Sequence, residues 1–305
     1  MKRQHIELNI PQMDDEVFYN KYYGQTLEKC ERHNIEPEIT DKELEIYITS
    51  FDGLLYAKYQ IKMLRALLIG VDYNIVFADT NSHINPAISA QTKQLCIDEG
   101  VCYVKIPHNK FQDLNLFSDK LGVDMTWIWR NCVKLRQPKY FGYLDQDCFA
   151  LKPIWGYLKP YLDEKGMYGV AWPGINDEVK NEYWLVHIMQ NFFKYDFVKD
   201  IDLDFRPNGH LGLDTSGCNY HLLFKNHNRE DYLQNEFLLS DIVGLEWGDV
   251  FRDYTLHDDC RWVHIRNSTK KFTNHPDEKK FKEVYMTGML NGILLNNNTS
   301  FLPPE

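Results

Sequence analysis

Two carboxylates one residue apart, Asp145 and Asp147, close an apolar run in "KYFGYLDQDCFALKPI", residues 139–154. At a strand end, where the chain begins to turn, both can lean toward one ion. Carboxylate oxygens suit hard octahedral cations such as Mg²⁺ or Mn²⁺. Such ions keep waters and share phosphate oxygens, so a D-x-D beside a nucleotide pocket implies a bound diphosphate. Standing alone, the same pair is also an ordinary solvated turn. Its meaning depends on the elements that position it.

Those elements alternate. "LEIYITSF", from Leu44, reads as a strand, and "LLYAKYQIKMLRALLIG" carries apolar residues at helical spacing up to Gly70. "YNIVFADT" is a second strand, ending at Asp79. "NPAISAQTKQLCIDEG" is a helix with Pro86 at its start and Gly100 at its end. "VCYVKIPH" is a third strand; "MTWIWRNCVKLRQ" is a helix stopped by Pro138; "KYFGYL" is the strand that runs into the aspartates. Strand and helix thus alternate from residue 44 to about 150, the pattern of an α/β, Rossmann-like fold with an open, mostly parallel sheet. Buried parallel strands are apolar throughout, as "YNIVFA" and "YFGYL" are. Ligands in such sheets sit beyond the carboxyl ends of the strands. Three strand ends carry polar groups there: Thr49 with Ser50, Asp79, and Asp145 with Asp147.

Beyond residue 153 the pattern is mixed. "GMYGVAWPG" reads as strand and turn, "DEVKNEYWLVHIMQNFFKYDF" as a helix, and "GHLGLDTSGCNYHLLFK" as Gly-rich and then strand-like. "REDYLQNEFLLSDIVG" reads as another helix, and "RWVHIRN" as a short strand ending near His264. Residues 1–43 are charged and partly helical, an extension rather than core, and the Asn- and Pro-rich tail is expected to end loosely.

Composition narrows the function classes. The chain has 305 residues, room for a sizeable core, and 44% hydrophobic and 26% charged residues, as in soluble globular proteins. A net charge of −10 without a strongly basic stretch argues against a nucleic-acid binder. Lys270, Lys271, Lys279, Lys280 and Lys282 form the densest basic group, a solvated face or a membrane-surface contact. The seven cysteines are irregularly spaced with no C-x-x-C, which fits free thiols in a reducing compartment. No apolar span of ~20 residues reads as a signal or transmembrane helix, so the expected location is cytoplasmic.

"YLDQDCFALKPI" resembles the D-x-D strand of metal-dependent glycosyltransferases of the GT-A fold, in particular the glycogenin and bacterial lipopolysaccharide galactosyltransferase family. The resemblance implies a nucleotide-diphosphate-sugar donor, expected to be a UDP-sugar. It also implies Mn²⁺ or Mg²⁺, and an acceptor hydroxyl on a glycan, a lipid-linked sugar or a protein. That family completes its metal site with a His followed six residues later by a diphosphate-holding Lys; "WVHIRNSTKKF" offers His264 and Lys270 at that spacing. The family's Gly between them is Asn267 here, and its Pro-Trp after the Lys is absent.

In "ITSFDGLLYAKY", Thr49, Ser50, Asp52 and Tyr56 are similar to the family's nucleobase loop, with Asp52 alternatively a helix cap. Asp79 would accept a hydrogen bond from uracil or ribose, or cap the next turn. Arg130, with Lys134 as its competitor, matches a basic residue that reaches the donor; a surface role is the alternative. Asp214 and Thr215 resemble the donor-sugar segment, and Asp241 lies in the same half; Asp214 or Asp241 would position the acceptor or act as base. The implied division is an extension at 1–43, a nucleotide-sugar half at 44–152, an acceptor half at 153–270 and a tail at 271–305.

Two other classes share some of these features. A haloacid-dehalogenase-like phosphatase also has D-x-D after an apolar strand, but normally on its first strand and followed by Thr or Val. Here Cys148 and Phe149 follow Asp147. A carbohydrate- or nucleotide-binding module could keep the scaffold without turnover.

Overall fold

The computed structural model describes residues 15–23, 29–50, 53–80, 82, 84–109, 117–174, 183–232, 236–238, 254–258, 261–265 and 276–296. Its strands are β1 (Arg32–His33), β2 (Leu44–Ser50), β3 (Tyr73–Asp79), β4 (Cys102–Lys105), β5 (Tyr140–Asp145), β6 (Cys148–Ala150), β7 (Met167–Tyr168), β8 (Ala171–Pro173), β9 (Trp184–Val186), β10 (Gln190–Lys194), β11 (Glu236–Leu238), β12 (Tyr254–His257) and β13 (Trp262–Ile265). The first four helices are α1 (Asp15–Tyr22), α2 (Leu54–Leu67), α3 (Pro86–Glu99) and α4 (Phe117–Ile128).

The fold is mixed α/β. A seven-stranded sheet has the order β1-β4-β3-β2-β5-β10-β7. Its inner strands β4, β3, β2 and β5 are parallel; β1 and β10 run antiparallel to them at the two sides, and β7, antiparallel to β10, again has their direction. β2 is buried along its whole length, as a central strand covered on both faces must be. One polar residue inside it, Glu45, is taken up by Arg136 at 2.6 Å. α2 and the helix Pro276–Asn296 cover one face through Tyr56, Leu64, Met286 and Leu290. α4 covers the other with Val123 and Trp127, beside Trp129 and Phe205.

Local chemistry explains the helix ends. Asn85 caps α3 by accepting from the Ile88 N–H at 3.2 Å, Pro86 occupies the first turn, and Gly100 leaves the helix at φ +64°. The helix read from "MTWIWRNCVKLRQ" begins earlier, at Phe117, and widens into a π-turn over Trp129–Val133. It ends at Gln137, in left-handed geometry, just ahead of Pro138.

The second half differs from its sequence reading. The helix expected across "DEVKNEYWLVHIMQNFFKYDF" is, where described, strands β9 and β10 followed by one helical turn, Tyr195–Val198. β10 inserts between β5 and β7, where its backbone is paired on both sides and Phe192 and Phe193 enter opposite cores. Tertiary pairing overrides the local pattern there. The strand-like stretch after Gly217 forms short helical turns instead, Asn219–Leu222 and Phe224–Asn226. The helix expected from Arg229 is a single 3-10 turn, Arg229–Asp231, followed by β11. Nor is the amino-terminal segment only an extension: Phe18, Tyr22 and Tyr23 are buried in the α4-side core, and β1 pairs with β4. The tail likewise contains the long helix Pro276–Asn296, which buries Met286, Leu290 and Ile293.

A second sheet has the order β11-β12-β13-β6, antiparallel throughout. β6 therefore leaves the D-x-D and joins strands from more than a hundred residues later. The turn between β12 and β13 is tied down by buried Asp258, whose carboxylate accepts from Tyr157 Oη at 3.0 Å and Tyr168 Oη at 2.6 Å.

Gly142, at the centre of β5, faces Phe192 of β10; a Cβ there would lie 2.2 Å from the Phe192 ring. Gly142→Ala should force that ring aside and cost about 1–3 kcal/mol, the usual range for overpacking a core. Chemical denaturation of the variant checks this; an unchanged midpoint would show that β10 does not lie where the register puts it.

Candidate metal and donor site

β5 delivers Asp145 to the carboxyl rim of the parallel strands, alongside Thr49 of β2. Gln146 and Asp147 make the turn, and β6 follows at once. The register of β6 against β13 sets His264 opposite Cys148, and the Ile265 N–H donates to the Asp147 carbonyl at 3.0 Å. These backbone bonds carry His264 to the aspartates. Its Nε2 lies 3.5 Å from Asp147 Oδ1 and 4.0 Å from Asp145 Oδ2. One ligand atom from each of Asp145, Asp147 and His264 falls within 4.8 Å of the others. The three side chains retain 20%, 11% and 12% of their exposure, so the group is largely desolvated yet open to an ion.

Burial and like charge dominate the electrostatics of the site. Burial, then the charge of Asp147, pushes the Asp145 carboxyl well above the ordinary carboxylate range; Asp214 adds to this and His264 opposes it. Burial alone would lower His264, but its contact with Asp147 and the charges of Asp147 and Asp145 outweigh burial and raise it. Two carboxylates and an imidazole form a donor set that suits a divalent cation, which would neutralise the crowded carboxylates. Behind His264, the Thr255 hydroxyl and His257 Nε2 are 3.0 Å apart. Burial first, then His264 and His187, lowers His257 to about 3, so this second imidazole is neutral.

The other expected residues divide. The charge of Asp214 helps to raise Asp145, and the Asp214 Oδ1 accepts from the Thr215 N–H at 2.7 Å. The Thr215 hydroxyl donates to the Ser118 carbonyl at 3.2 Å, joining this loop to the start of α4. Thr49 and Ser50 are buried on the rim, and the Ser50 carbonyl accepts from the Thr80 N–H at 3.1 Å. Asp79, level with Ser50 in the register, is buried, and its carboxylate accepts from Ser89 Oγ and from Tyr103 Oη at 2.7 Å.

Two expected donor contacts have other partners. Tyr56 lies in the core with its ring stacked on Phe149, centroids 6.3 Å apart, because helical spacing turns it inward. Arg130 lies 2.6 Å from Asp202 and 3.1 Å from Asp15, with Phe18 under its guanidinium. Lys134 Nζ is 3.6 Å from the same Asp202. Asp52, Asp241 and Lys270 lie outside the described residues. The sequence reading missed Lys120, buried on α4 and donating to Thr80 Oγ1 at 3.0 Å, and Gln60 on α2. A charged or amide side chain at core spacing on a helix was the available signal for both.

No family model matches this chain, and no curated protein does. Among solved structures it is similar to the galactosyltransferase LgtC, determined with donor and acceptor sugar analogues, at 11% identity over 81% of this chain and 95% of that one, TM-score 0.46. It is similar to S. aureus TarS at 12% identity over 85% of this chain and 44% of that one, TM-score 0.41. A glycosyltransferase involved in glycosylating the PBCV-1 major capsid aligns at 12% identity over 52% and 62%, TM-score 0.30. The match thus spans less than half of the full TarS chain, and 50% of a shorter TarS chain. Likenesses of this degree leave the function to be argued from the site's own geometry.

The pH dependence follows from the two shifted groups. Asp145 is raised, so its contribution to stability is full below the ordinary carboxylate value of about 4 and is lost as pH rises through the raised value. His264 is also raised, so its contribution is full below about 6.5 and is lost as pH rises through its raised value. Both run the same way. Without metal, stability should fall from about pH 5 to pH 8, and the rise in melting temperature on adding Mn²⁺ should grow over the same range as protons stop competing. Thermal unfolding with and without Mn²⁺ checks both signs; a larger Mn²⁺ effect at pH 5 contradicts this charge balance.

Proposed function

We propose that this chain is a metal-dependent glycosyltransferase that moves a hexose from a nucleotide diphosphate sugar, a UDP-sugar, to an acceptor hydroxyl. The observation that carries the reading is the convergence of Asp145, Asp147 and His264 at the carboxyl rim of the parallel strands. That rim is where open α/β sheets bind ligands.

Asp145, Asp147 and His264 would hold Mn²⁺ or Mg²⁺, and the ion supplies positive charge where the diphosphate leaving group develops negative charge. The chain's own residues do the rest. Thr49, Ser50 and the polar end of β3 shape the floor for the nucleoside. Asp214, on the loop tied to α4 through Thr215, adds its charge to that of Asp145 and would orient the sugar or the incoming hydroxyl. Lys270, by its spacing from His264, would add a second positive charge at the diphosphate, and Asp241 would assist in the acceptor half. The acceptor hydroxyl, on a glycan, a lipid-linked sugar or a protein, would enter from the side built by residues after 153. Among the described residues no helix is long and apolar enough to cross a membrane.

Mn²⁺-dependent release of UDP from UDP-hexoses tests the reading. Asp145→Asn and Asp147→Asn should each lower turnover by roughly 10²–10³-fold, as removal of a charge-stabilising group does, with melting temperatures near that of the parent. Near-parental turnover in either variant would sink the assignment. Phosphate release from a monoester, with no UDP release, would turn the reading toward a phosphatase. Nucleotide-sugar binding without release would turn it toward a binding module.

A further inference from the structure

The turn that carries the two aspartates is held from beneath by one side chain. Gln60 lies on α2 with no exposure to solvent, among apolar neighbours such as Ile61, Met63 and Leu64. Its Nε2 is 3.1 Å from the Asp145 carbonyl and 3.3 Å from the Gln146 carbonyl, and it also donates to the Cys148 carbonyl. An amide nitrogen has two N–H bonds, so these acceptors share both of them. The remaining carbonyl of the turn, that of Asp147, accepts from the Ile265 N–H at 3.0 Å. The Asp145 N–H donates to the Met189 carbonyl at 3.0 Å. Every carbonyl from 145 to 148 thus has a donor from another part of the fold.

The placement has a cost and a consequence. A buried amide is expensive unless bonded, and a leucine would suit this apolar helix face better. What the amide does that leucine cannot is bind carbonyls. With the carbonyls of Asp145, Gln146 and Cys148 held by α2 and that of Asp147 by β13, the carboxylates of Asp145 and Asp147 are left to converge on His264. We propose that Gln60 is a positioning residue for the cation site, setting the geometry of the D-x-D turn through its backbone. This rests on the metal-dependent reading above.

The test uses the full-length chain carrying Gln60→Met, which keeps length and apolar bulk and removes the donor. Mn²⁺ affinity is measured from the electron paramagnetic resonance signal of the free ion, and backbone amide exchange of residues 145–148 is followed in the metal-free protein. Met63→Ala, a core truncation on the same helix, controls for lost stability alone. The expected result is a 10–100-fold weaker Mn²⁺ affinity in Gln60→Met, the range for partners that orient metal ligands, with faster exchange across the turn. Met63→Ala should melt lower yet keep parental affinity and exchange. Parental Mn²⁺ affinity and unchanged exchange in Gln60→Met overturn the inference and leave the transferase reading standing. A parent chain that takes up no Mn²⁺ overturns that reading and the inference built on it.

Discussion

The site depends on one backbone pairing. After Asp147 the chain leaves the main sheet, and β6 pairs with β13 in a separate antiparallel sheet. That pairing places His264 opposite Cys148, beside two aspartates that are distant in sequence. A slip of one residue would turn His264 to the other face of its sheet. Several features oppose such a slip: the Ile265 bond to the Asp147 carbonyl, the continuation of the sheet into β12, and Asp258, which ties the end of β12 to Tyr157 and Tyr168. The packing of the second sheet is in this sense what makes the ligand set.

Charge then distinguishes this corner from an ordinary turn. Asp145 and Asp147 face one imidazole, and the charge of Asp214 also reaches Asp145. A structural ion pair is normally balanced, as Glu45 with Arg136 is, or Asp204 with Arg206. Here two carboxylates crowd one another, and burial makes their proximity costly. That crowding of negative charge is what a divalent ion would offset. The neutral His257 behind Thr255 adds no charge to the cluster.

The sequence made the first half legible because its signals were local. Apolar runs of strand length, Asn85 and Pro86 at one helix start, and Gly100 at its end each report on a few neighbouring residues. The second half was illegible for the opposite reason. "QNFFK" becomes β10 only because β5 and β7 are there to pair with it, and Gly142 leaves room for Phe192. Asp145, Asp147 and His264 were legible through residue type and a family resemblance. Arg130 was not, because nothing in its spacing reveals that Asp15 and Asp202 hold it. Gln60 escaped notice because its partners are carbonyls, which carry no sequence signature.

Asp145, Asp147 and His264 are proposed to hold one divalent cation. A crystal soaked in MnCl₂ and measured at the manganese absorption edge tests this most directly. One strong anomalous peak is expected between the two carboxylates and His264 Nε2, lost in Asp147→Asn. An empty position there, or a peak bound by other side chains, would contradict it.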